Sequence, residues 1–313
     1  MSARVVLVTG GAGFIGSNLV RALLHRGDRV RVLDNFSTGS RENLASLLGD
    51  VELVEGDLRS YERVHAAVRG AEIVFHQGAL PSVPRSVQDP LTTTAVNIEG
   101  TLNVLLAARD ESVRRVVNAS SSSVYGNGGV LPRTEDQSPD PISPYAVAKL
   151  AAERFCTSFS RVYDMETVSL RYFNVFGPLQ DPNSQYAAVL PRFIRLIADS
   201  RPVSINGDGE QSRDFTFVDN VVGANLLAAE APDVSGVTLN VATGVSETIN
   251  RATDLIAEMI GRPAERTFVA AQPADVRASL ADISEARRLL GYDPVVPFAD
   301  GLRRTIDSIL RDG

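Results

Sequence analysis

Two reactive side chains, Tyr145 and Lys149, stand four residues apart in Ser143-Pro144-Tyr145-Ala146-Val147-Ala148-Lys149. Serine followed by proline is a helix-start signature, with Ser143 as N-cap and Pro144 in the first turn. The spacing then puts phenol and ammonium on one helical face. A free phenol has a pKa of about 10 and is a poor base at neutral pH. An adjacent ammonium favours phenolate and brings it toward the range of a general base. Ahead of this pair, Ala119-Ser120-Ser121-Ser122-Ser123-Val124-Tyr125-Gly126 sets four consecutive hydroxyls at the end of an apolar run. Such a cluster can donate and accept hydrogen bonds around a sugar hydroxyl.

A second constellation lies near the N-terminus. Gly10, Gly13 and Gly16 are spaced GxxGxxG, not GxGxxG. Arg4-Val5-Val6-Leu7-Val8 before them reads as a buried parallel strand, and Ser17 to Leu24 after them is apolar at helical spacing. Strand, glycine turn and helix together form a cradle that sets a pyrophosphate on the positive end of the helix. Arg29 to Leu33 reads as the next strand and ends in Asp34, eighteen residues after Gly16. A carboxylate there accepts hydrogen bonds from both hydroxyls of an adenosine ribose and repels a 2′-phosphate, which favours NAD over NADP. Asp57, ending a third strand, can meet the adenine amino group. An oxidised nicotinamide held by this cradle would add to the pull of Lys149 on the phenol.

The elements that must position these groups alternate at short intervals. Strands are expected at Arg4–Thr9, Arg29–Asp34, Val51–Glu55, Ile73–His76, Arg115–Ser120, Glu166–Arg171 and Val237–Val241, with helices between them. That pattern predicts an α/β fold with a doubly wound, Rossmann-like parallel sheet. After about Phe173 the pattern loosens into a smaller mixed α/β lobe on the sheet's carboxyl edge, where such sheets bind ligands. The expected division gives residues 1–173, with a returning segment near 214–243, to NAD. Residues 174–213 and 244–313 are left for the substrate.

Composition narrows the function. A chain of 313 residues with 44% apolar and 22% charged residues is globular, and can bury a real core. A net charge of −7 disfavours nucleic acid or an anionic membrane as partner, while local arginines can still bind an anionic small substrate. The single cysteine, Cys156, excludes an internal disulfide and suits a reducing compartment. No apolar run approaches the roughly 18 residues that span a bilayer. The first strand begins too early for a signal peptide, so a cytoplasmic location is expected. His25, His65 and His76 have no ligand spacing, and no metal is expected; His76, after a strand, reads as structural.

In these motifs the chain resembles the extended short-chain dehydrogenase/reductases, and among them the nucleotide-sugar 4-epimerases of the UDP-glucose/UDP-N-acetylglucosamine type. TGGAGFIGS, LDNFSTG, EGDL, SSSSVYG, SPYAVAK, LRYFNVFGP, QDPNSQYAAVLPRFI, NGDGEQSRDFTFVDN and DVRASLADI carry the resemblance over nearly the whole chain. It implies Ser121 as the catalytic hydroxyl, Tyr145 as the base and Lys149 as its electrostatic partner. It implies cofactor contacts from Phe14, Ile15, Asn35, Ser37, Gly39, Leu58, Gln77, Ala79, Asn97, Ala119 and Tyr172, besides the glycines, Asp34 and Asp57. Substrate contacts would come from Ser82, Ser122, Asn174, Ala188, Val189, Arg192, Gln272 and Ser279. Arg213 would meet the diphosphate and Asp275 the uridine ribose. The implied reaction oxidises the sugar at C4, turns the 4-keto sugar over in the pocket and reduces its opposite face, so that NAD is regenerated and stays bound. Ser279 would line the sugar pocket, where a small residue leaves room for a 2-N-acetyl group.

Two positions depart from the pattern. Many relatives carry an arginine where Gln272 stands, which removes a charge-assisted contact of order 1.5–3 kcal/mol unless Arg277 or Arg192 substitutes. Pro81 replaces a glycine or lysine beside the sugar. Related 4,6-dehydratases need an Asp-Glu pair after the catalytic hydroxyl residue, and decarboxylases need a glutamate in that segment. Ser122 and Ser123 stand at the two positions and cannot do acid–base work at neutral pH, so epimerisation is the expected reaction. A catalytically silent NAD-binding regulator is the alternative from another class; the Ser121, Tyr145 and Lys149 set argues against it. Helices around Pro90–Arg109 and Pro144–Tyr163 match the pair through which relatives form a four-helix-bundle homodimer.

Overall fold

The computed structural model describes residues 4–181, 188–271 and 276–311. Seven strands form one sheet: β1 (Val5–Thr9), β2 (Arg29–Asp34), β3 (Val51–Glu55), β4 (Ile73–His76), β5 (Arg115–Ser121), β6 (Glu166–Tyr172) and β7 (Val237–Val241). Their spatial order is β3-β2-β1-β4-β5-β6-β7, and every pairing is parallel. Alternation along β1 explains why both faces are covered. Val6 and Val8 join a core with Leu19, Val20 and Leu23 of helix α1 (Phe14–His25) and with Ala224 and Ala228 of the helix Val218–Glu230. Leu7 points the other way, into a core with α2 (Tyr61–Val68), α5 (Gly100–Asp110) and α6 (Pro144–Tyr163). The strand order reverses between β1 and β4, which opens a crevice at their carboxyl ends.

Two strands run one residue further than the hydrophobic pattern suggests. Ser121 pairs with Tyr172 as the last rung between β5 and β6. Both side chains at the sheet's mouth are therefore fixed by the ladder and not carried on a loop. The stretch expected as one helix from Pro90 is instead broken: α4 (Pro90–Thr94) passes through a π-helical turn at Ala95–Glu99 before α5. Asn97 sits in that turn. Its Oδ1 accepts from Leu80 N (2.8 Å) and its Nδ2 donates to Leu80 O (3.1 Å), which pins the turn to the segment after β4.

Beyond Phe173 the chain builds smaller pairings on the sheet's carboxyl edge. Val175–Phe176 pairs with Thr216–Phe217, Ser212–Arg213 with Glu247–Thr248, and Val203–Asn206 with Arg266–Val269. Phe176, Phe215, Phe217 and Phe298 pack ring to ring beneath them. Val237–Val241 returns to the main sheet beside β6. No described helix is long and apolar enough to cross a membrane.

Candidate active site

The crevice at the switch point holds a cavity of about 250 Å³ lined by Gly10, Gly13, Phe14, Ile15, Gly16, Asp34, Asn35, Ser37, Asp57, Leu58, Gln77, Ala79, Ala119, Tyr145, Lys149 and Tyr172. The turn after β1 closes only with glycine. Gly10 has a φ of +67°, and a Cβ on it would come within 2.6 Å of Gly78 Cα. A Cβ on Gly16 would overlap the Gly10 carbonyl oxygen. No side chain caps α1 and no acid lies in its first turn, so its positive end is open to an anion. Asp34 is buried at the end of β2; its Oδ2 accepts from Ala12 N (2.9 Å) and its Oδ1 from Phe36 N (2.8 Å). Burial pushes its pKa up while these N–H groups pull it down. Glycine turn, uncapped helix and carboxylate line one cavity, and that combination fits a dinucleotide such as NAD.

Asp57 is less available than its position suggests. Arg59 grips it through Nε (2.9 Å) and Nη2 (2.7 Å), and Asn35 Nδ2 donates to it (2.9 Å). The Arg59 bond above all holds its pKa down to about 2. Gly39 and Asn97 do not line the cavity. Gly39 packs against the Ala12 backbone, and both polar atoms of the Asn97 side chain are spent on Leu80.

A second cavity, of about 1070 Å³, meets the first at Ser120, Tyr145 and Tyr172. Ser82, Ser121, Ser122, Asn174, Ala188, Arg213 and Ser279 line it. Tyr145 lies on the first turn of α6, which Ser143 caps by accepting from Ala146 N. Lys149, one turn on, is buried and donates from Nζ to Ala119 O at 2.7 Å. Its Nζ lies 6.0 Å from the Tyr145 ring centroid. Burial pushes the phenol up to about 12, and a hydrogen bond with Ser121 pulls the other way. Tyr145 keeps part of its surface open to both cavities, so bound groups control that balance. Burial lowers Lys149 to about 8, against the raising effect of Glu153. Ser123, on the same wall, has its Oγ buried with no protein partner among the described residues.

Val189 and Arg192 do not line the cavity; Arg192 lies over the Phe193 ring. Arg277 is held by Asp208 through two bonds of 2.6 and 2.9 Å. Gln272 and Asp275 lie outside the described residues. Asn174 Nδ2 reaches both Asp214 O (3.2 Å) and Ser279 Oγ (3.3 Å), joining two predicted substrate positions. Sequence reading passed over Asp214. It is fully buried, and its carboxylate accepts from Thr243 N, Thr243 Oγ1, Gly244 N and Ala281 N, tying both ends of the returning segment to Ala281 beside Arg213. Its place directly after Arg213 was the only available signal. Arg85 and Arg133 were also missed as cations of the cavity wall. Groups of His, Cys, Asp or Glu able to hold a metal are absent among the described residues.

Comparison with known proteins is consistent along the chain. The NAD dependent epimerase/dehydratase family pattern matches residues 6–242. A UDP-glucose 4-epimerase of Mycolicibacterium smegmatis is 39% identical over 310 residues, covering 96% of this chain and 97% of that protein. The structure of a UDP-N-acetylglucosamine 4-epimerase from Methanobrevibacter ruminantium, in complex with UDP-N-acetylmuramic acid, superposes with a TM-score of 0.95 at 38% identity, covering 100% of both chains. A Thermus thermophilus UDP-glucose 4-epimerase in complex with NAD gives a TM-score of 0.89 at 37% identity, covering 98% of this chain and 99% of that one.

Proposed function

This chain belongs to the NAD dependent epimerase/dehydratase family, and we propose from that premise how its residues work as a UDP-sugar 4-epimerase. The protein is an NAD-dependent isomerase that inverts C4 of a UDP-hexose. The carrying observation is the junction of the two cavities, where Tyr145 lies between Lys149 of the first and Ser121 of the second and where Ser122 and Ser123, not acids, follow the strand end. NAD, when bound, supplies an acceptor and then a donor for the C4 hydride.

The glycine turn and the N-terminus of α1 hold the cofactor's pyrophosphate, and Asp34 its adenosine ribose. Tyr145 takes the proton of the sugar 4-hydroxyl and returns it after the ring has turned. Lys149 holds a positive charge one turn away, and Ser121 orients the hydroxyl. Arg213 binds the diphosphate, and Asn174, Ala188 and Ser279 shape the pocket around nucleotide and sugar. Elimination or decarboxylation lacks its acid at positions 122 and 123. Residues 1–173, with the returning segment near 214–243, form the NAD-binding part, from which Ser82, Ser121 and Ser122 reach the second cavity, and 174–213 with 244–313 form the substrate lobe.

Ser279 is small and shares its hydroxyl with Asn174, which leaves room beside the sugar for a 2-N-acetyl group. The substrates are therefore UDP-N-acetylglucosamine and its galacto epimer, with the plain hexoses alongside. The enzyme works in the cytoplasm as a homodimer. Incubating it with UDP-glucose and UDP-N-acetylglucosamine separately, and resolving each product from its C4 epimer, tests the reading. Absence of epimer from both sugars would overturn it.

A further inference from the structure

One buried charge near the site belongs to neither cavity. Glu153 lies one helical turn beyond Lys149 on α6 and is 1% exposed. Its Oε1 accepts from Ser120 Oγ (2.5 Å) and Arg171 Nε (2.8 Å), and its Oε2 accepts from Arg171 Nη2 (2.8 Å). Arg171, on β6, is 3% exposed and lies 4.7 Å from the centre of the Tyr125 ring. Tyr125 in turn donates to Asn240 Oδ1 at 2.7 Å. Burying an ion pair costs desolvation that its own attraction barely repays, so the pair is weak evidence of a purely stabilising role. Its hydrogen-bond partner Ser120 walls both cavities, and Lys149, one helical turn before Glu153, walls the cofactor cavity.

We propose that Glu153 is a positioning residue for the epimerase reaction, its locked carboxylate keeping Lys149 a cation beneath the cofactor and Ser120 fixed at the junction of the cavities. The other groups facing Lys149 cannot do this. On its own helix Tyr145 is a phenol raised to about 12, and the Cys156 thiol is also raised by burial to about 12. From β4, His76 is held neutral, its pKa lowered by burial to about 3. From β5, Ala119 offers only a carbonyl and Ser120 only a hydroxyl. Arg171 of β6 is itself a cation, held by Glu153. Among the described residues, then, the Glu153 carboxylate is the anion that opposes the loss of the Lys149 proton in the dry floor of the site, where burial favours that loss.

The inference rests on the roles proposed for Tyr145 and Lys149. Its test is the pH profile of kcat for the NAD-loaded enzyme, whose alkaline limb should report the loss of the Lys149 ammonium, a loss that burial favours. In Glu153→Gln that limb should move to lower pH by about one unit, the low end of what an adjacent opposite charge contributes. KM for the UDP-sugar and NAD content should not change. Removing one partner of a buried pair can unfold a protein, whereas replacing both is often tolerated. The double variant Glu153→Gln/Arg171→Met is therefore measured in parallel and, with the Arg171 charge gone as well, should show a smaller displacement in the same direction. A limb that stays in place in the folded double variant overturns the proposal and leaves the pair a purely structural one. Tyr145→Phe, run beside them, separates the two failures: full turnover in that variant would sink the reaction assignment itself.

Discussion

Tyr145 shows how much of a residue's chemistry depends on what lies beside it. The protein alone raises its phenol to about 12, because removal from water costs the anion more than the hydrogen bond with Ser121 returns; Lys149 lies 6.0 Å from the ring centroid. That agrees with the expectation that Lys149 acts together with an oxidised nicotinamide on the phenol, and not by itself. Tyr145→Phe should lower turnover by at least about a hundredfold, the low end for a general acid–base group, with NAD still bound after purification. Near-normal turnover would remove the phenol from the mechanism. Ser279 makes a different kind of prediction, one of space. Ser279→Tyr should abolish turnover of UDP-N-acetylglucosamine and UDP-N-acetylgalactosamine while sparing UDP-glucose and UDP-galactose, which competition assays with mixed sugars would resolve. Equal loss on both pairs would point to damage at Asn174, its hydrogen-bond partner.

Among the elements, the ends of β2 and β4 carry the most information. Asp34 closes β2 inside the cofactor cavity. The purified protein should release NAD on denaturation, and Asp34→Ser should admit NADP as well, since the repelling carboxylate is gone; mass spectrometry of the released nucleotide decides it. At the end of β4, His76 bridges two elements. Thr101 Oγ1 donates to Asn97 O (2.7 Å), so it accepts from His76 Nε2–H (2.9 Å), and Nδ1 accepts from Thr9 Oγ1 (2.8 Å). The imidazole is thus fixed as one neutral tautomer, and burial, ahead of repulsion from Lys149, lowers its pKa to about 3. The unfolded chain binds the extra proton from about pH 6.5 downward. His76 therefore lowers stability as pH falls from about 6.5 toward 3, by at most ~1.4 kcal/mol per unit. Urea unfolding at pH 6.5 and 5 should show this slope, and it should shrink in His76→Asn.

At the scale of the whole molecule, exposed apolar side chains gather on α3 (Val83–Gln88), α4 and α6. Leu91 is 82% exposed, Val162 66% and Val87 64%, and Tyr163 and Val147 are nearly half exposed. Large side chains this open on neighbouring helices favour a second copy as cover. Sedimentation should give about twice the 33.6 kDa chain mass, and Leu91→Glu should shift the distribution toward monomer. A wild-type monomer at micromolar concentration would rule the homodimer out.

Local physics made most of the fold legible. Strand positions follow from short apolar runs between helical periods, and the glycine turn and the Ser143-Pro144 start follow from backbone sterics. Those rules act over a few residues, so Gly10, Gly16, Asp34, Tyr145 and Lys149 could be picked out with no fold in hand. Features set by contacts far apart in the chain were not legible. The π turn at Asn97 depends on Leu80, Asn35 reaches Asp57 from the end of β2, and Arg277 is committed to Asp208. Asp214 became visible only when Thr243, Gly244 and Ala281 converged on it. The sequence determined which groups are present and in what local geometry. The tertiary structure decided which of them are desolvated and which are already paired, because burial and long-range partners arise only when the elements pack.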